Sequence, residues 1–333
     1  MKLEARTAVL ELAETFTISR GSRDQVKVVQ VEVRAGDETG SGEAAPQDHY
    51  GESAASAVEY LREVADELGG DPFALEEIES RLPPREYAAR AALDIALHDL
   101  QGKLTGQPVW RLLGLRREGP PTSWTVWLGD PDDMARRAEA AAPRFRRLKL
   151  KLGARDGLDV ERVRSVRAVT DLPLQVDVNE AWSLDEALDA TARFPALGVE
   201  YVEQPLPAGD EGGRVLKERS PVPIYVDEDC HTAADVAACA EIAHGINIKL
   251  AKSGGIREAI RMAHAARALG LGVMLGCMIE SGLGIAAGCC VAPLCDHVDL
   301  DGNLLIADDP CPGVDFSGGV QVPSEEPGLG VRV

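Results

Sequence analysis

Leu148-Lys149-Leu150-Lys151 ends on a lysine, and so does Ile246-Asn247-Ile248-Lys249 further along the chain. Between them Leu174-Gln175-Val176-Asp177, Val199-Glu200-Tyr201-Val202-Glu203 and Ile224-Tyr225-Val226-Asp227 each end on a carboxylate. Working outward, short apolar runs of the same kind occur at Trp124–Leu128, Gly272–Leu275 and Val298–Leu300. These eight runs start roughly 25 residues apart. The segments between them are rich in Ala, Arg and Glu at helical spacing, as in Glu161–Val169, Leu184–Phe194 and Arg257–Leu269. Eight strands alternating with helices over roughly 180 residues predict a β/α barrel. An open doubly wound sheet is the alternative, and the residues at the strand ends decide for the barrel.

Residues before the first of these runs follow another pattern. The first fifty or so read as β, with Val26–Val33 of strand composition and a turn-rich stretch from Gly36 to Gly42. From Glu52 to about Leu113 the pattern is helical. It is strongest over Ala88–Leu104, where Ala92, Ile95, Ala96 and Leu100 share one face. The expected division is an α+β capping domain over 1–118, completed by 307–333, and a catalytic barrel over 119–306. A weak boundary lies at Arg116–Pro121.

The net charge of −20 argues against nucleic acid and against an anionic membrane as partners. The N-terminus, Met1-Lys2-Leu3-Glu4-Ala5-Arg6, has no apolar signal core. The most apolar stretch, Ser281–Cys295, is too short for a span and broken by glycines and Pro293. The expected compartment is the cytoplasm. Seven cysteines without a CxxC pair read as buried, reduced thiols. Lysine occurs only eight times, yet Lys149, Lys151, Lys249 and Lys252 fall in two clusters. The acidic, lysine-poor balance also fits a salt-adapted host. Gly282–Gly288 has the wrong spacing for a dinucleotide loop and reads as a closely packed helix. His98, in an apolar helix, reads as a satisfied core histidine.

In a β/α barrel the C-terminal strand ends carry the active site. Here charged groups end strand two (Lys149, Lys151), three (Asp177), four (Glu203), five (Asp227, Glu228), six (Lys249) and eight (Asp299, Asp301). Asp177, Glu203 and Asp227 offer oxygen ligands alone, which favours Mg²⁺ over Zn²⁺. Structural ion pairs with the nearby lysines are the plainer alternative. Lys151 and Lys249 come from opposite sides of the mouth. Two bases on opposite faces of one carbon allow removal of a proton from one side and its return on the other. Desolvation, a metal and the Lys149 ammonium are each expected to lower a lysine pKa toward a useful range.

Lys149-Leu150-Lys151, Asp177-Val178-Asn179, Val202-Glu203-Gln204-Pro205, Val226-Asp227-Glu228 and Ile248–Gly255 together resemble the muconate-lactonizing subgroup of the enolase superfamily. The resemblance covers the whole chain. It implies a modified (β/α)₇β TIM-type barrel under an N-terminal α+β capping domain. It implies one Mg²⁺ per subunit on Asp177, Glu203 and Asp227, with Lys151 and Lys249 as the acid–base pair acting through an enediolate. Asp229 stands where the family usually has Ser. Asp299-Leu300-Asp301-Gly302 resembles the motif with which dipeptide epimerases hold a substrate ammonium. Thr125, Lys149 and Glu280 match supporting positions. Ile18 and Arg20 lie in a segment, Phe16–Gly21, similar to the family's mobile capping loop. Arg20 or Arg23 would pair with an acidic substrate side chain, as L-Ala-D/L-Glu epimerisation requires; facing water is the equal alternative. The expected activity is Mg²⁺-dependent, two-lysine 1,1-proton transfer at the α-carbon of a dipeptide's C-terminal residue, in a homo-oligomer. The alternatives are a cycloisomerase, an o-succinylbenzoate synthase or an N-acyl amino acid racemase of the same superfamily. A non-catalytic metal-binding barrel is the rival of another class.

Overall fold

The structure is a computed structural model that describes residues 1–333. Its first sheet is antiparallel, with β1 (Lys2–Ile18), β2 (Gly21–Ala35) and β3 (Glu38–Ala44) in that order. β1 and β2 pair from Lys2 opposite Arg34 to Ile18 opposite Gly21, with a bulge between Glu11 and Phe16. Val29, Val31 and Val33 alternate onto one face and pack with Ala88, Ala92 and Ala96 of the helix Tyr87–Thr105. That helix lies so close that a Cβ at Gly40 or Gly42 would meet the Ala96 or Ala92 carbonyl oxygen at 2.0 Å. Two glycines in one strand therefore set the sheet–helix distance. His98 on this helix is buried, with Nδ1 2.7 Å from the Asp94 carbonyl oxygen, as expected.

The second sheet has eight strands in chain order: β4 (Trp124–Val126), β5 (Leu148–Lys151), β6 (Leu174–Asp177), β7 (Val199–Glu203), β8 (Ile224–Val226), β9 (Gly245–Lys249), β10 (Gly272–Gly276) and β11 (His297–Asp299). Neighbours pair in parallel throughout. The ring closes between its ends, where the Ser123 amide donates to the Val298 carbonyl at 2.9 Å and Thr122 bridges Val298. Helices follow β4 through β10, whereas β11 leads only to the short turn Gly302–Leu304. This is the expected (β/α)₇β barrel, not an open sheet. The helix Gly282–Val291 is buried all round, and a Cβ at Gly282 would meet the Cys311 carbonyl oxygen at 2.2 Å. Close packing, not nucleotide binding, accounts for those glycines.

Leu148, Leu150, Val176 and Val202 point outward under the helices. Lys149, Gln175 and Tyr201 share a layer, and Lys151, Asp177 and Glu203 share the next. Strands covered on both faces lose the simple alternation of a half-exposed sheet. Beneath the mouth, Tyr201, Tyr225 and Met274 form an aromatic–thioether plug against His297. Past β11 the chain returns to the first sheet. The Ala307 amide donates to the Glu11 carbonyl at 2.8 Å, and the Leu329 amide to Asp99 at 2.7 Å. No helix is long and apolar enough to cross a membrane.

Candidate active site

Parallel register places the strand ends at one height. Lys151 of β5 stands beside Asp177 of β6, which stands beside Glu203 of β7. Lys249 of β9 and Asp299 of β11 flank Gly276 of β10. β5 and β9 are four strands apart in a ring of eight, so Lys151 and Lys249 approach from opposite sides. Both line a cavity of about 320 Å³ under the capping sheet, together with Thr125, Lys149, Asp299 and Asp301. The capping wall contributes Ile18, Arg20, Arg23 and Tyr50.

Every one of these carboxylates is buried, and most meet a lysine. Lys151 Nζ donates to Asp177 at 2.6 Å, and Lys249 Nζ to Asp227 at 2.7 Å. Lys149 Nζ reaches Asp299 and Glu203 at 2.8 Å each and Asp177 at 3.2 Å. Four buried lysines, Lys149, Lys151, Lys249 and Lys252, share the region with seven buried carboxylates: Asp177, Glu203, Asp227, Glu228, Glu280, Asp299 and Asp301. The excess is negative, and the acids register it. Burial and then Asp177 push the Glu203 carboxyl above its usual range. Burial and the neighbouring Asp299 raise Asp301 to about 7, and burial with Asp227 and Asp177 raises Glu228 to about 7. Asp177 and Asp227 go the other way: burial opposes ionisation, but Lys151 and Lys149 hold the first low, and Lys249 and Lys252 the second.

At Lys249 the protein's own carboxylates act against a lowered pKa. Burial lowers its pKa, as does Lys149, yet Asp227 and Glu203 outweigh them and raise it above the ordinary lysine value. Lys149 is likewise raised, because Asp299, Glu203 and Asp177 outweigh its burial. The neighbouring ammonium is visible along one strand, whereas the carboxylates that reach the same nitrogen come from other strands. A lowered lysine pKa here requires something that neutralises those carboxylates.

The remaining expected residues sort by position. Asp299 accepts from Lys149 and, at 2.9 Å, from the Ser123 hydroxyl; Asp301 accepts the Thr125 amide at 2.6 Å. Glu280 is buried behind the wall, accepts the Met278 amide at 2.9 Å, and does not line the cavity. Arg20 lines the cavity, but its guanidinium is already paired with Glu228 and Glu180. Arg23 also lines the cavity and donates to the neutral Gln47 amide oxygen at 3.2 Å. Asp229, the departure from the family pattern, accepts from Gln204 at 2.7 Å, and Gln204 in turn receives the Asp227 amide at 2.8 Å.

Sequence reasoning gave no role to Lys252 or Asn247. Lys252 Nζ donates to the Asp227 carboxylate at 2.6 Å, and Asn247 donates to Glu203 at 2.7 Å. Asn247 was findable, since it lies two residues before Lys249 on one strand face. Lys252 lies in the one-turn helix Leu250–Ser253 directly after β9, too short for periodicity to point to it.

A closed parallel barrel with opposed lysines and clustered carboxylates at its C-terminal mouth, capped by a separate sheet, defines an acid–base enzyme scaffold. The sequence matches two family descriptions along its length: mandelate racemase / muconate lactonizing enzyme, N-terminal domain, over residues 3–114, and enolase C-terminal domain-like over 133–333. The chain therefore belongs to the mandelate racemase/muconate lactonizing enzyme family of the enolase superfamily. An L-Ala-D/L-Glu epimerase of Bacteroides thetaiotaomicron is 40% identical, covering 99% of this chain and 88% of the relative. A hydrophobic dipeptide epimerase of Roseobacter litoralis is 36% identical, covering 99% and 98%. The dipeptide epimerase of Enterococcus faecalis, solved as a complex with Mg and L-Leu-L-Tyr, superposes with a TM-score of 0.95 at 30% identity, over 100% of this chain and 99% of that one.

Proposed function

We propose that this protein is a Mg²⁺-dependent dipeptide epimerase, an isomerase that inverts the α-carbon of the C-terminal residue. The observation that carries the reading is the pair Lys151 and Lys249, set on strands four apart in a closed ring and lining one cavity. One lysine takes the α-proton from its face, and the other returns a proton to the opposite face. Each accounts for a factor of about 10²–10⁴ in rate as a positioned acid or base.

Asp177, Glu203 and Asp227 would hold the Mg²⁺. Their donor set is all oxygen and they sit on successive strands, and the Lys149 ammonium 2.8 Å from Oε2 of Glu203 shows that this oxygen accepts a cation. When bound, the ion supplies positive charge against the carboxylate on which negative charge develops during proton loss. Two charges on the ion and one on a substrate ammonium also offset the excess of buried carboxylates. Asp299 and Asp301 hold that ammonium, Thr125 orients Asp301 through its amide, and Lys149 keeps Asp299 and Glu203 in place. The barrel proper runs over 119–306, with 1–118 and 307–333 as its cap.

Within dipeptides, the reading we favour has an acidic second residue, as in L-Ala-L-Glu. Arg23 is the cavity-lining arginine with no carboxylate partner. A wall of Phe16, Ile18 and Ile279 favours a hydrophobic second residue instead. The test is a dipeptide library incubated in ²H₂O with Mg²⁺ and followed by mass spectrometry. Epimerisation with solvent ²H uptake, lost in Lys151→Ala and Lys249→Ala, is the expected result. Turnover of N-acylated but not free-amino substrates would move the assignment to the N-acyl amino acid racemases. No ²H uptake with any dipeptide, by protein shown to bind Mg²⁺, would end the epimerase reading.

A further inference from the structure

The turn between β1 and β2 touches the barrel through a cluster of opposite charges. Arg20 Nη1 lies 2.8 Å from Glu228 Oε1 and 3.1 Å from Glu180 Oε2. His49 Nε2 lies 3.0 Å from the same Glu180 oxygen. Glu180 follows β6 and Glu228 follows β8, whereas His49 comes from the capping segment after β3. Two capping segments and two barrel loops thus meet at one point. The ligand atoms of His49, Glu180 and Glu228 lie within 4.8 Å of one another, and Arg20 is the cation set among them.

Both carboxylates need that cation. The Glu228 side chain is 1% exposed, stands next to Asp227, and has an Oε2 with no hydrogen-bond partner. A buried carboxylate beside others is costly without a paired cation. Glu180 sits in left-handed backbone at φ 67°, after Asn179 at φ 46°. Its Oε1 takes the Ala208 amide at 2.9 Å, which leaves Oε2 for Arg20 and His49. The backbone follows the same line: the Leu128 amide donates to the Thr17 carbonyl at 2.9 Å, and the Ser19 hydroxyl to the Asn179 carbonyl at 3.1 Å. Arg20 is therefore saturated by the protein's own acids, in contrast to Arg23.

We propose that Arg20 is a positioning residue that locks the capping turn onto the barrel through Glu228 and Glu180, so that reading of the substrate side chain falls to other groups in that wall. The kinetic arm of its test rests on the dipeptide reading above; the exchange arm does not. Arg20→Met, Arg20→Lys and Glu180→Gln are made in the full chain and assayed with Mg²⁺ against L-Ala-L-Glu and L-Ala-L-Leu. Amide hydrogen exchange over 17–21 is measured alongside, with the barrel strands as the control for folding.

Under the proposal Arg20→Met lowers kcat/KM by the same factor, roughly tenfold or more, for both dipeptides, because the cavity wall is misplaced for either. Arg20→Lys recovers part of the loss. Glu180→Gln moves activity the same way, and the Met/Gln double variant falls less than the product of the two single losses. Exchange over 17–21 speeds up in Arg20→Met and in Glu180→Gln while the barrel strands stay protected. A loss confined to L-Ala-L-Glu, with exchange at 17–21 unchanged, would make Arg20 a substrate-reading residue and overturn the proposal. If the wild type turns over no dipeptide, the dipeptide reading fails alone. Faster exchange at 17–21 in the variants then still supports the lock, and unchanged exchange overturns it.

Discussion

Buried carboxylates occur in two regions of this molecule and are treated in opposite ways. Along the seam between cap and barrel they accept backbone amides. Asp99 takes the amides of Ser41 and Leu329 at 2.8 and 2.7 Å, and the half-buried Asp94 takes the Ile256 amide at 2.6 Å. Glu43 takes the amide and hydroxyl of Ser281. Across the barrel mouth the carboxylates outnumber the lysines, and Oε2 of Glu228 keeps no hydrogen-bond partner. A carboxylate met mainly by backbone amides is a fastener, and one crowded with other carboxylates against buried lysines belongs to a site. Burial alone therefore does not mark function; the identity of the partner does.

The largest expected difference between the two regions is in rate. Lys249→Met should cut epimerisation about 10³-fold while the far-UV circular dichroism stays that of the wild type. A comparable loss of activity per folded molecule on changing a seam carboxylate would erase the distinction. Asp99→Ala is the matching seam variant. It strands two buried amides and the Lys103 ammonium, and should cost about 3 kcal/mol in urea unfolding with kcat unchanged.

Metal removal probes the mouth from the other side. An ion bound by the folded chain at roughly 100 times its Kd adds about 2.7 kcal/mol of stability. Chelation should therefore lower the thermal midpoint of the wild type and of Asp99→Ala alike. It should leave Asp177→Asn nearly unmoved, since that variant lacks one of the three carboxylates proposed to hold the ion. A midpoint indifferent to chelator in the wild type would argue that lysines alone balance the mouth.

The finest test falls on Glu43, where a seam acid feels its surroundings. Burial raises its carboxyl from 4.5 to about 8, against the two hydrogen bonds from Ser281 that lower it. Between those values the folded chain holds a proton that the unfolded chain has released. Stability from this group is thus full below about pH 4.5 and is lost as pH rises through about 8. Glu43→Gln, which keeps the shape, should flatten that decline and gain on the order of 1–2 kcal/mol above pH 8. Thermal melts of both proteins from pH 5 to 9 check it; parallel curves would show that Glu43 titrates in its ordinary range.

The sequence by itself determined the repeating unit and the chemistry at its ends. Eight apolar runs at a nearly constant interval leave a barrel as the economical closure, and period-two geometry puts Lys149 and Lys151 on one face. It also carried the family motifs, because these lie within single strands. What it did not decide depends on distance between strands far apart in the chain. The balance of charge at the lysines is one example. The neighbours that lower a pKa were visible within β5, while those that raise it arrive from β7, β8 and β11. Arg20 and Arg23 are alike as letters three residues apart; only the fold brings Glu180 and Glu228 to the first and a neutral amide to the second. Strand periodicity is a local property and can be read along the chain. Charge pairing is set by which loops the closed ring brings together, and that exists only once the ring has closed.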